Sequence, residues 1–264
     1  MPQPPFLNPL GSPFIELQSV DSTNNYARNL LHESRLPDRQ NPVQHGTAVF
    51  AHEQVSGKGQ RGKIWTSEKD SNVIVSVIVK PQSLQLTQQF QLSVCVAVAV
   101  HRFLTKYAGE DVKIKWPNDV YWQDRKAGGI LIESVIRSSD TGDSSWDWSI
   151  IGIGININQT AFPTYLSNPV SLRQITGKSF NTLSLAKEIC EELNQKFSEL
   201  VTEGFEKIYA SYLTHLYKIN TTVKLKKDNR VFEAIIKGVS PAGRLIVFHS
   251  IEEEFDFGEV QWVI

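Results

Sequence analysis

The apolar residues of this 264-residue chain come in short runs, and their brevity limits the fold more than any other feature. The longest, such as Val73 to Val79, fall far short of the ~20 residues that a membrane helix needs. Val49 to Gln54, Asn72 to Val79 and Gly129 to Ile136 read instead as strands, and Phe14 to Val20 as a short strand too. Trp148 to Ile157 is a further apolar strand in which Gly152 and Gly154 permit close backbone approach. Val112, Ile114 and Trp116 alternate with Lys113 and Lys115, the pattern of a half-buried strand, which the Pro117-Asn118-Asp119 turn ends. Asp21-Ser22-Thr23 offers three helix N-cap types, which places a helix from near Ser22 through Leu31, and two segments carry helical spacing, one along Phe90, Val94, Val98 and Leu104 and one along Leu185, Ile189, Leu193 and Phe197.

From about Asn220 the texture changes to short alternating stretches: Thr222 to Lys226, Val231 to Val239, Leu245 to His249 and Glu254 to Trp262. That is a small all-β module of roughly forty-five residues, near the lower limit for independent folding, so it is expected to dock on the main domain. The division is a proline-rich extension over 1–13, a main domain over 14–218 and the β module over 219–264. The extension has no cationic start and fits neither a signal peptide nor a membrane anchor, which leads to the expectation of a cytoplasmic chain. Cys95 and Cys190 lie in apolar helical contexts and read as buried reduced thiols, and no Cys/His spacing resembles a zinc site.

Twenty-seven basic against 28 acidic residues leave a formal charge of −1, so no polyanion partner such as nucleic acid is indicated and any anion site must be local. One local candidate is GKGQRGKIW at 57–65, between two strands. Its cations Lys58, Arg61 and Lys63 sit among Gly57, Gly59 and Gly62, so the backbone can bend close to a ligand while charge neutralises phosphate or carboxylate. The same composition suits a solvated hairpin loop, and the segment alone does not choose between the two. It is neither a Walker A loop nor a Rossmann turn, because GxxxxGK[ST] and a helix-opening GxGxxG are both absent.

The choice comes from its company: SVDSTNNYA at 19–27, KWPNDVYW at 115–122, RKAGGILIES at 125–134 and IIGIGININ at 150–158. Together with the glycine segment, and in this order over roughly residues 14 to 160, these motifs resemble the biotin protein ligases. The β module after residue 220 is similar to that family's C-terminal domain. The resemblance implies an α+β fold, a mixed sheet with helices on one face followed by a small SH3-like barrel. It also implies a two-step reaction: ATP and biotin form biotinyl-5′-AMP, and a lysine of a biotin carboxyl carrier domain, for instance of acetyl-CoA carboxylase, then takes the biotin.

The family's roles carry over residue by residue. Ser22, Thr23 and Asn24 would line the biotin head-group pocket, where hydroxyl and amide groups can bond a ureido ring; the same residues could simply cap a helix. Gln54 would hold the biotin ureido or carboxylate end, although alone it is an ordinary strand-end glutamine. Lys58, Gln60 and Arg61 stand where relatives often carry arginines in GRGRxGRxW; Lys58 keeps the charge without the two-pronged grip of arginine, and Gln60 loses it. Trp65 matches a tryptophan beside adenine, or is a core aromatic. Lys126 matches the lysine of KxxGI that reaches the reacting carboxylate and α-phosphate. Asn118 and Asp119 match positions near the adenylate and the incoming amine, with Asp119 able to orient Mg²⁺ or accept a proton, or merely to form a turn. Gly57, Gly129, Gly152, Gly154 and Asn156 match positions lining biotin and adenine, where tight strand packing is the plainer alternative.

Other functions are weighed beside this one. Lipoate ligation is disfavoured because that family's RRxSGGGxVxHD-like segment is missing. A non-catalytic biotin-binding module would not need convergent cations. A biotin-sensing repressor would need a helix-turn-helix ahead of the core, and about thirteen proline-rich residues are too few, so no specific operator binding is expected.

Overall fold

The computed structural model describes residues 8–34, 42–81, 84–138 and 144–263. The proline-rich start therefore lies mostly outside the described residues. Seven strands form the main sheet: β1 (Phe14–Leu17), β2 (Ala48–Ala51), β3 (Asn72–Val79), β4 (Val112–Lys115), β5 (Asp119–Trp122), β6 (Arg125–Ser138) and β7 (Ser144–Asn156). Their order is β1-β2-β3-β7-β6-β5-β4; the β1–β2 pair is parallel and the other pairs are antiparallel, so the sheet is mixed as expected. Five helices accompany them: α1 (Thr23–Glu33), α2 (Gln89–Ala108), α3 (Leu172–Thr176), α4 (Thr182–Thr202) and α5 (Phe205–Thr214).

Strand alternation sorts the core. Ala48, Phe50, Val73, Val75, Val77, Ile151, Ile153 and Ile155 point to one face, where they pack with the apolar sides of α2 and α4. Val49, Ile78 and Ile150 point to the other and meet Ala27 and Leu31 of α1. The long helices thus share one face, as the resemblance implied, while the short α1 lies alone on the opposite one and covers only part of it. β5 is a strand where the sequence suggested only a turn, because Asp119 onward folds back to pair with β4, Lys115 opposite Asp119. α3 and α5 have too few periodic positions to be read from the sequence.

The C-terminal residues form a separate antiparallel sheet of β8 (Thr222–Lys227), β9 (Arg230–Val239), β10 (Leu245–Phe248), β11 (Glu252–Phe255) and β12 (Gln261–Val263), in the order β11-β10-β9-β8-β12. The expected stretch from Glu254 to Trp262 is two strands, because a turn with Gly258 at φ +92° separates them. Leu225, Ala234, Ile236, Leu245, Val247 and Phe255 fill its inner side and belong to the same apolar cluster as α2 and α4. Trp116 ties the two sheets directly, its indole N–H donating to the Gly243 carbonyl at 2.9 Å. Both cysteines are buried and unpaired, and burial pushes both thiols up to about 12. Among the described residues no helix is long and apolar enough to cross a membrane.

Two buried histidines make stability pH-dependent. His45 accepts the Lys80 backbone N–H through Nδ1 at 2.9 Å, and His101 stacks on His215 with ring centroids 4.2 Å apart while Nε2 lies 3.1 Å from the Val112 carbonyl. Desolvation first, and then neighbouring positive charge, holds each at about 4, below the ordinary 6.5. The unfolded chain therefore binds more protons between about 4 and 6.5, and this stabilisation is present above that window and lost as pH falls through it. Urea unfolding followed by tryptophan fluorescence should give a free energy lower at pH 5 than at pH 7 by on the order of 2–4 kcal/mol.

Candidate functional site

On the face opposite α2 and α4, strand register sets rows of side chains across the sheet. Ile74, Gly154, Gly129 and Asp119 share one row, Ser76, Gly152 and Leu131 the next, and Ile78, Ile150 and Glu133 a third. α1 packs on the third. The glycines and Ser76 of the other two leave a trough. Glycine is required at its floor: a Cβ on Gly152 would lie 2.3 Å from Asn24 Oδ1, and one on Gly154 would lie 2.5 Å from the Trp65 ring.

The N-terminus of α1 supplies one wall. Ser22, Thr23 and Asn24 are all buried there although polar. Their partners come from distant strands. Gln54 Oε1 accepts the Thr23 backbone N–H at 2.7 Å and lies 3.1 Å from Thr23 Oγ1. Ser76 Oγ lies 2.7 Å from Thr23 Oγ1 and 2.6 Å from Asn24 Oδ1. Asn24 Nδ2 donates to Glu133 Oε2 at 2.8 Å, and Arg28 holds the other oxygen of that carboxylate at 2.7 Å. Ser22 is the N-cap residue by position but makes no side-chain cap bond, so its hydroxyl is not used to start the helix.

The glycine segment folds as a small hairpin over the trough. Trp65 N–H donates to the Gly57 carbonyl at 2.9 Å, Gly59 N–H to that of Lys63 at 2.7 Å, and Lys58 pairs with Ile64. Its tip is a 3₁₀ turn, Gln60–Gly62, with Arg61 at φ 54°. Lys58, Lys63 and Ile64 of this hairpin, with Val55 just before it and Leu131 and Glu133 of β6, line an open cavity of about 580 Å³. Trp65 lies on Gly154, and Lys126 Nζ is 6.0 Å from its ring centroid. Gln60 Oε1, Trp65 Nε1 and Ser67 Oγ are buried without a hydrogen-bond partner. Three such orphans in one stretch suit a polar ligand that carries both donors and acceptors.

Lys126 is at the far end of the trough. Its Nζ lies 2.7 Å from Asp119 Oδ1, and both side chains border Gly129. The backbone of Lys126 is clamped on both sides, its N–H by the Asn168 carbonyl at 2.7 Å and its carbonyl by the Val170 N–H at 2.9 Å. Asn118 exchanges bonds with Ile130 through its side-chain amide and its carbonyl. Asn156 donates to the carbonyls of Lys126 and Val170, so it braces the lysine's main chain. Lys115, next to Asp119 across β4–β5, is buried among Tyr121, Tyr217 and Trp262, and burial lowers it to about 8. Asp119 is the carboxylate that would lie beside a cation carried in by phosphate oxygens at this end, and the described residues hold no cluster of three or more His, Cys, Asp or Glu.

Ser22, Thr23, Asn24, Gln54, Gly57, Lys58, Trp65, Asp119, Lys126, Gly129 and Gly152 therefore converge on one trough from six separate segments. Arg61 is directed elsewhere: its guanidinium lies 4.8 Å from the Phe257 ring centroid and donates to the carbonyls of Phe257 at 2.9 Å and Gly258 at 3.3 Å. The hairpin tip is thereby fastened to the C-terminal sheet. A Cβ on Gly258 would lie 1.8 Å from the guanidinium, so Gly258→Ala should eject Arg61 and make trypsin cut at Lys58 and Lys63 several-fold faster. An unchanged cleavage rate would contradict the fastening. Ser76, Glu133 and Lys115 were missed in the sequence. Ser76 had a signal, as the lone polar residue inside Val73–Val79.

Comparison with known proteins gives the family and the fold. Residues 17–156 match the model of the biotin/lipoate A/B protein ligase family. The bifunctional ligase/repressor BirA of Bacillus subtilis is 30% identical over 210 residues, covering 78% of this chain and 63% of that protein. The biotin–[acetyl-CoA-carboxylase] ligase of Paracoccus denitrificans is 28% identical over 238 residues, 88% of this chain and 92% of its own length. Among solved structures, a biotin protein ligase from Aquifex aeolicus in complex with biotin and ATP superposes with a TM-score of 0.75 at 24% identity, over 95% of this chain and 98% of the other, a likeness of fold. With its family match covering more than half its length and its motifs gathered in one trough, the chain belongs to the biotin/lipoate A/B protein ligase family.

Proposed function

We propose that this protein is an ATP-dependent biotin–protein ligase. Residues 14–218 carry the reaction and residues 219–264 brace it. The observation that carries the reading is the trough itself, with a polar head-group wall at one end and a lysine–carboxylate pair at the other. In the first step the biotin carboxylate attacks the α-phosphorus of ATP and pyrophosphate leaves. Both reactants are anions, and Lys126 and Lys58 offset their repulsion and the charge that grows on phosphorus. ATP brings Mg²⁺, which neutralises the departing phosphates. Trp65 and the unpaired groups of the same segment receive the adenine and ribose, Gly152 gives Asn24 room to lie on the sheet, and Gly129 leaves space beside Lys126 and Asp119 for the acyl phosphate.

In the second step a lysine amine of a biotin carboxyl carrier domain attacks the acyl carbon, AMP leaves, and the amine loses its proton. Asp119 is the group beside Lys126 suited to take that proton. The biotin–[acetyl-CoA-carboxylase] ligase of Paracoccus supports this choice of acceptor, because it aligns over nearly its whole length. The hairpin over 57–65 excludes water from the mixed anhydride between the steps.

The test is exchange of labelled pyrophosphate into ATP with biotin or with lipoate. Exchange with biotin alone is the expected result. Exchange with lipoate alone would move the substrate, and exchange with neither would remove the activity.

A further inference from the structure

The hydrogen bonds around Asn24 can run in either of two directions, and one residue on the trough wall decides between them. Ser76 has a single hydrogen and two neighbours, Asn24 Oδ1 at 2.6 Å and Thr23 Oγ1 at 2.7 Å. If Asn24 presents its oxygen to Ser76, the serine hydrogen goes to Asn24, while the threonine hydrogen points to Gln54 Oε1 at 3.1 Å. Both lone pairs of Thr23 Oγ1 then stay free. If Asn24 were turned over, its NH₂ would donate to Ser76, the serine hydrogen would turn to Thr23, and the threonine hydrogen would stay on Gln54. The serine hydrogen would thus change partner and occupy a lone pair of Thr23 Oγ1.

Glu133 removes the choice. Its carboxylate can only accept, and it takes Asn24 Nδ2 at 2.8 Å, while Arg28 holds its other oxygen at 2.7 Å. Turning Asn24 would bring its oxygen against that carboxylate. Asn24 is also pressed flat on Gly152 and is 3% exposed, so it has no third position. We infer that Glu133, held by Arg28, is a positioning residue that sets the direction of hydrogen bonding in the head-group pocket and with it the selectivity for a cyclic urea. A urea offers two N–H donors and one carbonyl. The pocket so directed offers a free acceptor on Thr23 Oγ1 and, because Gln54 Oε1 is tied to the Thr23 N–H, a donor on Gln54 Nε2.

The inference rests on the biotin reading above, and the experiment separates the two. Glu133→Gln keeps the shape of the side chain but lets its amide face Asn24 either way, so the lock is lost. In pyrophosphate exchange the KM for biotin should rise about tenfold with kcat within about threefold. Desthiobiotin, which keeps the urea and lacks the thioether ring, should lose by the same factor, and Glu133→Asp should recover part of it. Ser76→Ala removes the hydrogen that Asn24 directs, so Glu133→Gln should raise the KM less than twofold further in that background, whereas losses that add would overturn the inference. A KM for biotin within about twofold of the parent in Glu133→Gln would overturn it as well. Should that variant fail to fold, Arg28→Met gives the same readout, expected to raise the KM at least twofold and overturning the inference if it does not. A parent protein inert toward biotin would instead sink the proposed function.

Discussion

Replacing Lys126 by alanine is expected to lower biotin-dependent pyrophosphate exchange by about 10³-fold, with a melting temperature within a few degrees of the parent. The size of the loss follows from what the substitution leaves behind. Lys126 Nζ neutralises Asp119 at 2.7 Å, so its removal takes away one positive charge and also exposes a carboxylate to the incoming phosphates. Two anions that already repel would meet a third. Stability is less affected because the pair is partly solvated, with side chains 32% and 24% exposed, and such pairs contribute little to folding. The backbone clamp from Asn168 and Val170 also remains without the side chain. Asp119→Asn should fall much less in exchange, since the lysine stays, and should fall more in transfer to an acceptor domain. Exchange above a tenth of the parent rate in Lys126→Ala would remove the lysine from the first step.

Gly57→Ala should lower kcat/KM for biotin by about 100-fold, the second largest effect. A Cβ at 57 would lie 2.3 Å from the Trp65 carbonyl oxygen and 2.8 Å from Gln54 Nε2. The first of these is main chain, and no rotamer relieves it, because Gly57 and Trp65 are joined by a 2.9 Å backbone bond. The hairpin must open. Both ends of the trough then suffer at once: Trp65 leaves Gly154, and Gln54 leaves Thr23. Gly59→Ala is the built-in control, since its Cβ would lie 3.2 Å from the nearest atom, the Lys63 carbonyl oxygen, and should cost far less activity. Steady-state exchange kinetics on the two variants, with calorimetry to compare their melting, checks the contrast. Equal activity in both would mean that closure of the hairpin does not matter to the reaction.

The sequence was most legible where the signal was local. Asn72 to Val79 was read to its true ends as β3, because its six valines and isoleucines, of strand-forming type, stand between turn residues. The helices α2 and α4 were found from their apolar spacing alone. β5 was missed because Asp119-Val120-Tyr121-Trp122 is four residues long and follows a proline turn, and nothing local says whether the chain continues or folds back. The site was legible as a set of motifs in order, which indicated Lys126, Asp119 and the Ser22–Asn24 group. Their purposes were less so. Asn156 looked like a ligand residue and is spent on the carbonyls of Lys126 and Val170, while Arg61 looked like a phosphate grip and is tied to Phe257 and Gly258.

By itself, then, the sequence determined most of the strands, the longer helices, the family and many of the residue types of the trough, because periodicity, caps and motif order are carried by neighbouring residues. Only the tertiary structure decided that α1 sits apart from the other helices, that Arg61 reaches a turn 196 residues away, and that Asn24 lies between Ser76 and Glu133. The reason is physical: which side chains meet across a sheet depends on strand order and register, and the direction of a hydrogen bond depends on the partner that register supplies.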